Sequence, residues 1–271
     1  MDFSTFFEGG LFYGLGSAIW DVAMTLIGVT ASQTPSQFSS TAWNYVINDV
    51  MSWTVSIGAV LLNIMYMVGI IRQSTNLKEN FTLEILIDGL IKVIAGNFLL
   101  LNGTRLMAMM FSMASAMSGG FLTMGNLSFQ QMDMDTGSYI FYVVYGIIYF
   151  VVAMVCAATI FMTIYGRYLQ LYLLAAVGPF AWSTVPAGHG ISSVASSWIR
   201  TFLAKCFEIV IIALAVSIAS MLCANIDFGQ LSGAGENLDG AIQAIQNMAT
   251  MVILTGMVKG ADVFIRRTFG F

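Results

Sequence analysis

Charge is the scarcest property of this sequence, with ten basic and fourteen acidic side chains in 271 residues, or 9% of the chain. Ordinary soluble domains carry roughly 25%. With 58% hydrophobic residues and a mean hydropathy of +0.83, a water-soluble fold would have to hide more apolar surface than a body of 29.4 kDa can bury. A soluble globule is excluded, and the chain is expected in a lipid bilayer.

Other shortages exclude chemistry. There is one histidine, His189, in a Gly-His-Gly turn, so neither a Ser-His-Asp order nor an HExxH metal helix is available, and no GxxxxGK[ST] phosphate loop occurs. The three cysteines, Cys156, Cys206 and Cys223, form no CxxC pair and sit in or beside apolar runs, as small buried hydrophobes do. No catalytic constellation, metal site or cofactor is expected, and the chain is read as a non-enzyme. A net charge of −4 argues against tight electrostatic grip on nucleic acid, which needs clustered Lys and Arg. No basic residue precedes Arg72, so the N-terminus lacks the basic region of a secretory signal.

Long uncharged runs are what the sequence does have. Residues 50–71, 106–132, 136–166, 168–199, 209–226 and 240–258 carry no Asp, Glu, Lys or Arg, and each is long enough for hydrocarbon about 30 Å thick. The fold class expected is all-α and polytopic, with an extracytoplasmic amphipathic region over 1–50 and a membrane domain over 51–271. Arg72 with Lys78, Arg167, Arg200 with Lys205, and Lys259 with Arg266 and Arg267 mark cytoplasmic ends. The stretches 1–49, 121–137 and 227–239 hold only acids and belong outside. One arrangement satisfies these groups, with spans at about 51–71, 85–113, 138–166, 205–226 and 241–259, the N-terminus outside and the C-terminus cytoplasmic.

A sixth crossing over 168–199 would reverse that rule for half the chain. The run contains Gly178, Pro179, Pro186, Gly188 and Gly190, which interrupt a hydrogen-bonded span. It is expected to form a helix end, a bend and a turn dipping into the cytoplasmic leaflet. Residues 3–30 approximate a helical stripe through Phe3, Phe7, Leu11, Leu15, Val22 and Leu26, broken by glycines and Asp21. That suits an amphipathic helix on the outer membrane face, with a sixth membrane span as the alternative.

Charge inside the spans invites a functional reading. Glu84, Asp88 and Lys92 follow at four-residue spacing on one helix face, where Asp88 and Lys92 can pair. They are candidates for a polar lining or a subunit contact. Lys205 and Glu208, spaced i to i+3, are candidates for the same role. Trp198 falls at an expected membrane interface, where its amphipathic ring is favoured. Small residues at helix-packing spacing, Ser115 with Gly119, Ala213 with Ser217, Ala215 with Ala219 and Gly256 with Gly260, suit close helix approach.

The segment 138–226 resembles the TrbL-type polytopic subunit of type IV secretion and conjugation machines. The features that carry the likeness are Tyr165-Gly166-Arg167, then Leu171-Tyr172-Leu173-Leu174-Ala175-Ala176-Val177-Gly178-Pro179-Phe180, then a turn, then Ser197-Trp198-Ile199-Arg200 opening an apolar helix. The resemblance implies a homo-oligomeric ring in the cytoplasmic (inner) membrane, contacting lipids, bitopic scaffold subunits and motor ATPases. Single-stranded DNA or protein would pass it as transient substrate. In that picture Gly178, Pro179 and Pro186 form the bend, and Trp198 with Arg200 anchors the fourth span. A weakly charged wall suits a passage that must not hold its cargo. A small-molecule transporter with its site at the broken 168–190 segment is the alternative, although no internal repeat supports it.

Overall fold

The structure, a computed structural model, describes residues 10–76, 83–122, 139–188, 191–224 and 239–268. Of the sequence candidates, His189 and the side chain of Glu84 lie outside the described residues.

Every regular element among the described residues is helical. Helix α1 covers Gly10–Ala31, α2 Pro35–Phe38, α3 Ser40–Asn44, α4 Met51–Asn76, α5 Leu83–Leu122, α6 Tyr139–Ser183, α7 Ser193–Ala224 and α8 Asp239–Thr268. A π-helical stretch, Tyr45–Val50, leads into α4, and a 3₁₀ turn, Val185–Ala187, follows α6. Among the described residues, six helices are long and apolar enough to cross a membrane, in the stretches Phe12–Ala31, Ser40–Arg72, Ile87–Leu122, Tyr145–Ala187, Ser193–Leu222 and Ile245–Thr268. The chain is therefore a multi-pass membrane protein.

Each expected span from residue 51 onward overlaps one of these helices, but the lengths differ. Helices α5 and α6, with 40 and 45 residues, run roughly 60 and 67 Å at 1.5 Å per residue, about twice the hydrocarbon thickness. Part of the extra length of α6 lies at Gly178 and Pro179, expected at a helix end. Both lie inside α6 and do not end it; the interruption falls instead after Ser183, with Thr184 at the turn. A proline removes one N–H and leaves one carbonyl without its helical donor, a loss that apolar helices tolerate where neighbouring elements pack against the bend. The N-terminal segment expected as a surface helix forms α1, one of the six apolar helices.

Two compact units emerge, and neither is contiguous in sequence. The first comprises 1–32, 115–166 and 208–265; the second comprises 33–114, 167–207 and 266–271. In the first, α1 lies along the opening half of α6. Tyr13 stacks on Tyr149 at 4.3 Å and Phe12 meets Phe150 edge-on at 6.2 Å, while Tyr149 closes over Gly16. Polar ties complete it. Asn247 Nδ2 donates to the Tyr13 hydroxyl at 3.1 Å, Ser217 Oγ donates to the Phe121 carbonyl at 2.9 Å, and Ser118 Oγ donates to the Ala31 carbonyl. In lipid, where water offers no alternative partner, such bonds are how buried hydroxyls are satisfied.

The second unit is built on a core of Leu62, Leu100, Met107, Phe111, Leu171, Trp182 and Phe202. Its aromatic rings touch in series, from Tyr172 to Trp43, Phe111, Phe202, Trp198 and Trp182, with centroids 5.0 to 6.2 Å apart. The connection from α1 to α4 is fastened to α6. Tyr168 donates its hydroxyl to the Gln33 carbonyl at 3.1 Å, Tyr172 donates to the Pro35 carbonyl at 2.8 Å, and Phe38 stacks on Tyr168 at 3.9 Å.

Candidate functional site

The second unit seats the end of α6 and the following turn in four glycines. On α4, Gly58 faces the Pro179 carbonyl, and Gly69 faces the Pro186 carbonyl so closely that no Cβ has room there. These two are eleven residues apart, three helical turns, and so share a face. On α5, Gly103 lies against the Trp182 ring, again with no room for a Cβ, and Gly96 faces Leu62 and the Trp182 carbonyl. The proline-containing helix end thus finds smooth surfaces on two neighbours, which lets backbones approach as side chains would not. Pro186 and Ala187 are buried in the 3₁₀ turn, and Gly188 leaves it at φ 80°, a conformation that glycine adopts without strain.

Two tryptophans hold this corner from within. Trp182 is only 2% exposed and meets Trp198 edge-on at 5.2 Å; both rings crowd Gly178. Trp198 Nε1 donates to the Leu174 carbonyl at 3.0 Å, and its ring stacks on Phe202 at 5.0 Å. Gly178, Pro179, Pro186 and Trp198 are therefore brought together in one unit, while Arg200 is exposed on α7.

The charged candidates separate. Asp88 and Lys92 form the i, i+4 ion pair expected of their spacing, 2.6 Å apart and partly exposed. Lys205 and Glu208 are buried, at 6% and 2% exposure, so neither lies on an open face, and a role as an exposed lining does not hold for them within this chain. Asp88→Lys places two cations one turn apart amid exposed Ile87, Leu90 and Ile91. If this face contacts a subunit or lines a path, assembly measured by size in detergent should fall; an unchanged assembly would discard the lining idea.

Arg167, which the sequence used only as a topology marker, turns inward. It is 4% exposed, its Nε donates to the Lys205 carbonyl at 3.2 Å and one terminal nitrogen to the Cys206 carbonyl at 3.5 Å, and its guanidinium lies over the Tyr168 ring at 5.1 Å. A planar fork on two successive carbonyls ties α6 to α7. Lysine has neither the fork nor the stacking plane, so Arg167→Lys should cost about 1–3 kcal/mol, the penalty for buried polar groups left unmatched. A lowered unfolding midpoint in detergent reads it; an unchanged midpoint contradicts it.

Arg105, absent from the basic groups that set the expected topology, is exposed within α5. Among the small-residue pairs, Ala213, Ser217 and Ala219 are buried, but Gly256 and Gly260 face open space. In the second unit the tight approaches are at Gly58, Gly69, Gly96 and Gly103, and the sequence signal for two of them was the seven-residue spacing of Gly96 and Gly103. Among the described residues, no group of three His, Cys, Asp or Glu side chains is placed to hold a metal ion.

No protein-family model, curated protein or solved structure matches the chain.

Proposed function

We propose that this chain is a membrane subunit of a type IV secretion or conjugation machine, similar to the TrbL type, that helps form the path for DNA or protein across the cytoplasmic membrane. The observation that carries the reading is the seat around the interrupted helix. The residues on which the resemblance rests, Leu171 to Phe180 and Ser197 to Arg200, meet through the Trp198–Leu174 hydrogen bond, and among them the Pro179 carbonyl faces Gly58 of another helix. In this reading the seat braces a turn, and energy is supplied by partner ATPases.

Orientation belongs to the same proposal. Nine of the ten basic residues fall in the second unit and only Lys259 in the first. By the positive-inside preference the basic flanks at Arg72, Arg200, Arg266 and Arg267 are cytoplasmic, the acidic N-terminal stretch is outside, and five crossings follow residue 50. A small-molecule carrier draws less support, since the sequence shows no internal repeat of the kind that builds a mid-membrane binding site from paired broken helices.

The test is genetic and biochemical. Deleting the gene from a donor cell that carries its own transfer genes should abolish DNA transfer, with recovery on re-supply, and the purified chain should run as several copies in mild detergent. Undiminished transfer, or a monomer whose stability responds to small solutes, rejects the reading.

A further inference from the structure

Within the first unit, α1 and the opening half of α6 leave a groove of about 880 Å³ between them. Its walls are almost wholly apolar. Ala18 and Val22 on α1 face Ala157, Ala158 and Met162 on α6, and the small alanines keep the floor low. Val22 and Met162 stand 70% and 73% exposed on the two rims. One charged residue, Asp21, lines it, the tenth position in the 20-residue apolar stretch Phe12–Ala31. Asp21 is exposed and has no ion-pair partner among the described residues.

Neither surrounding suits this surface uncovered. In lipid, a lone carboxylate is costly and normally faces a partner. In water, a concave, mostly apolar groove of this volume falls in the range of binding sites. Both costs are removed by one kind of cover, an apolar helix that carries a cation.

We infer that the groove between α1 and α6 receives an apolar helix of a different protein bearing one lysine or arginine, with Asp21 as its counter-charge. A helix laid into an apolar groove is a recurring recognition mode, and small residues on the floor let the two backbones approach. Charge argues against self-recognition through this face. The unit holds ten of the fourteen acids and a single base, Lys259, so the same unit of a second copy brings mainly like charge. The inference goes beyond the secretion reading and does not depend on it.

The test uses the full chain in phosphatidylcholine nanodiscs and two dansyl-labelled peptides of 20-odd leucines and alanines, a length that spans hydrocarbon, one with a central lysine and one without. Energy transfer from the chain's tryptophans reports binding. The lysine peptide should bind about tenfold more tightly, the weight of roughly 1.4 kcal/mol. Asp21→Asn should abolish that preference without shifting the unfolding midpoint, and Asp21→Lys should turn it toward a peptide with a central aspartate. Val22→Trp, a change at an exposed rim, should block both peptides. Equal binding of the two peptides to the unaltered chain overturns the proposal, as does an Asp21→Asn variant that keeps the preference. Lipid that excludes both peptides, or self-association lost in Asp21→Asn, assigns the groove to another occupant and also overturns it. Loss of DNA transfer is not a readout here, so failure of the peptide assay and failure of the secretion reading are separable.

Discussion

Gly69→Ala should be among the most damaging single-methyl additions in the chain, lowering stability by about 3 kcal/mol, the upper part of the usual range for overpacking. The reason is what stands opposite. At Gly103 the obstacle to a Cβ is a tryptophan ring, which can tilt; at Gly69 it is the backbone carbonyl of Pro186, held in a buried 3₁₀ turn. The turn has little room to retreat, because Gly58 meets the Pro179 carbonyl one stretch earlier. The methyl must therefore separate α4 from the turn or unwind it. Thermal unfolding in detergent should show a clear fall in midpoint for Gly69→Ala and none for Gly14→Ala, whose added Cβ meets open space. If the two variants unfold alike, the seat is not the close contact described. In the secretion reading the same variant should also lose transfer, because the turn it displaces is the one the resemblance places at the cytoplasmic face.

The helices were legible because lipid favours long, apolar segments with few charges, and most of the uncharged runs from residue 50 onward overlap a long helix, although α5 and α7 carry charges and the run 168–199 is divided by a turn. The Asp88–Lys92 pair was legible for a similar reason, since i, i+4 spacing within one helix needs no tertiary information. What failed to show was whatever depends on a neighbour. Pro179 reads as a helix end in isolation; it lies inside α6, with Gly58 set against its carbonyl and Trp198 bonded one turn earlier at Leu174. Lys205 and Glu208 read as candidates for a polar lining or a subunit contact, and packing within the chain buries both. Arg167 reads as a flank, whereas its hydrogen-bond acceptors are carbonyls 38 and 39 residues away. Asp21 reads as an interruption in a stripe; its place in a groove appears only when α6 supplies the second wall.

Trp182→Ala should cost about 3–5 kcal/mol, the range for removing a buried aromatic side chain. In a membrane, part of that range does not apply, since the unfolded reference is not simply water; the void itself carries the penalty, and this void is hard to close. Two of its walls are Gly103 and Gly178, which have no side chains to move inward. Trp198 is a large neighbour in contact with the ring, but its own ring is stacked on Phe202 and its Nε1–H is committed to the Leu174 carbonyl, so moving it into the space means breaking a hydrogen bond in apolar surroundings. A compensating variant isolates the packing term. Gly103→Leu alone should be strongly destabilising, because its side chain would occupy the Trp182 ring position; combined with Trp182→Ala it should restore a good part of the lost stability. Contacting residues couple in this way, and distant ones do not. Additive losses in the double variant would mean that Gly103 and Trp182 do not share one space, and with that the seat would lose the contact that fixes the end of α6.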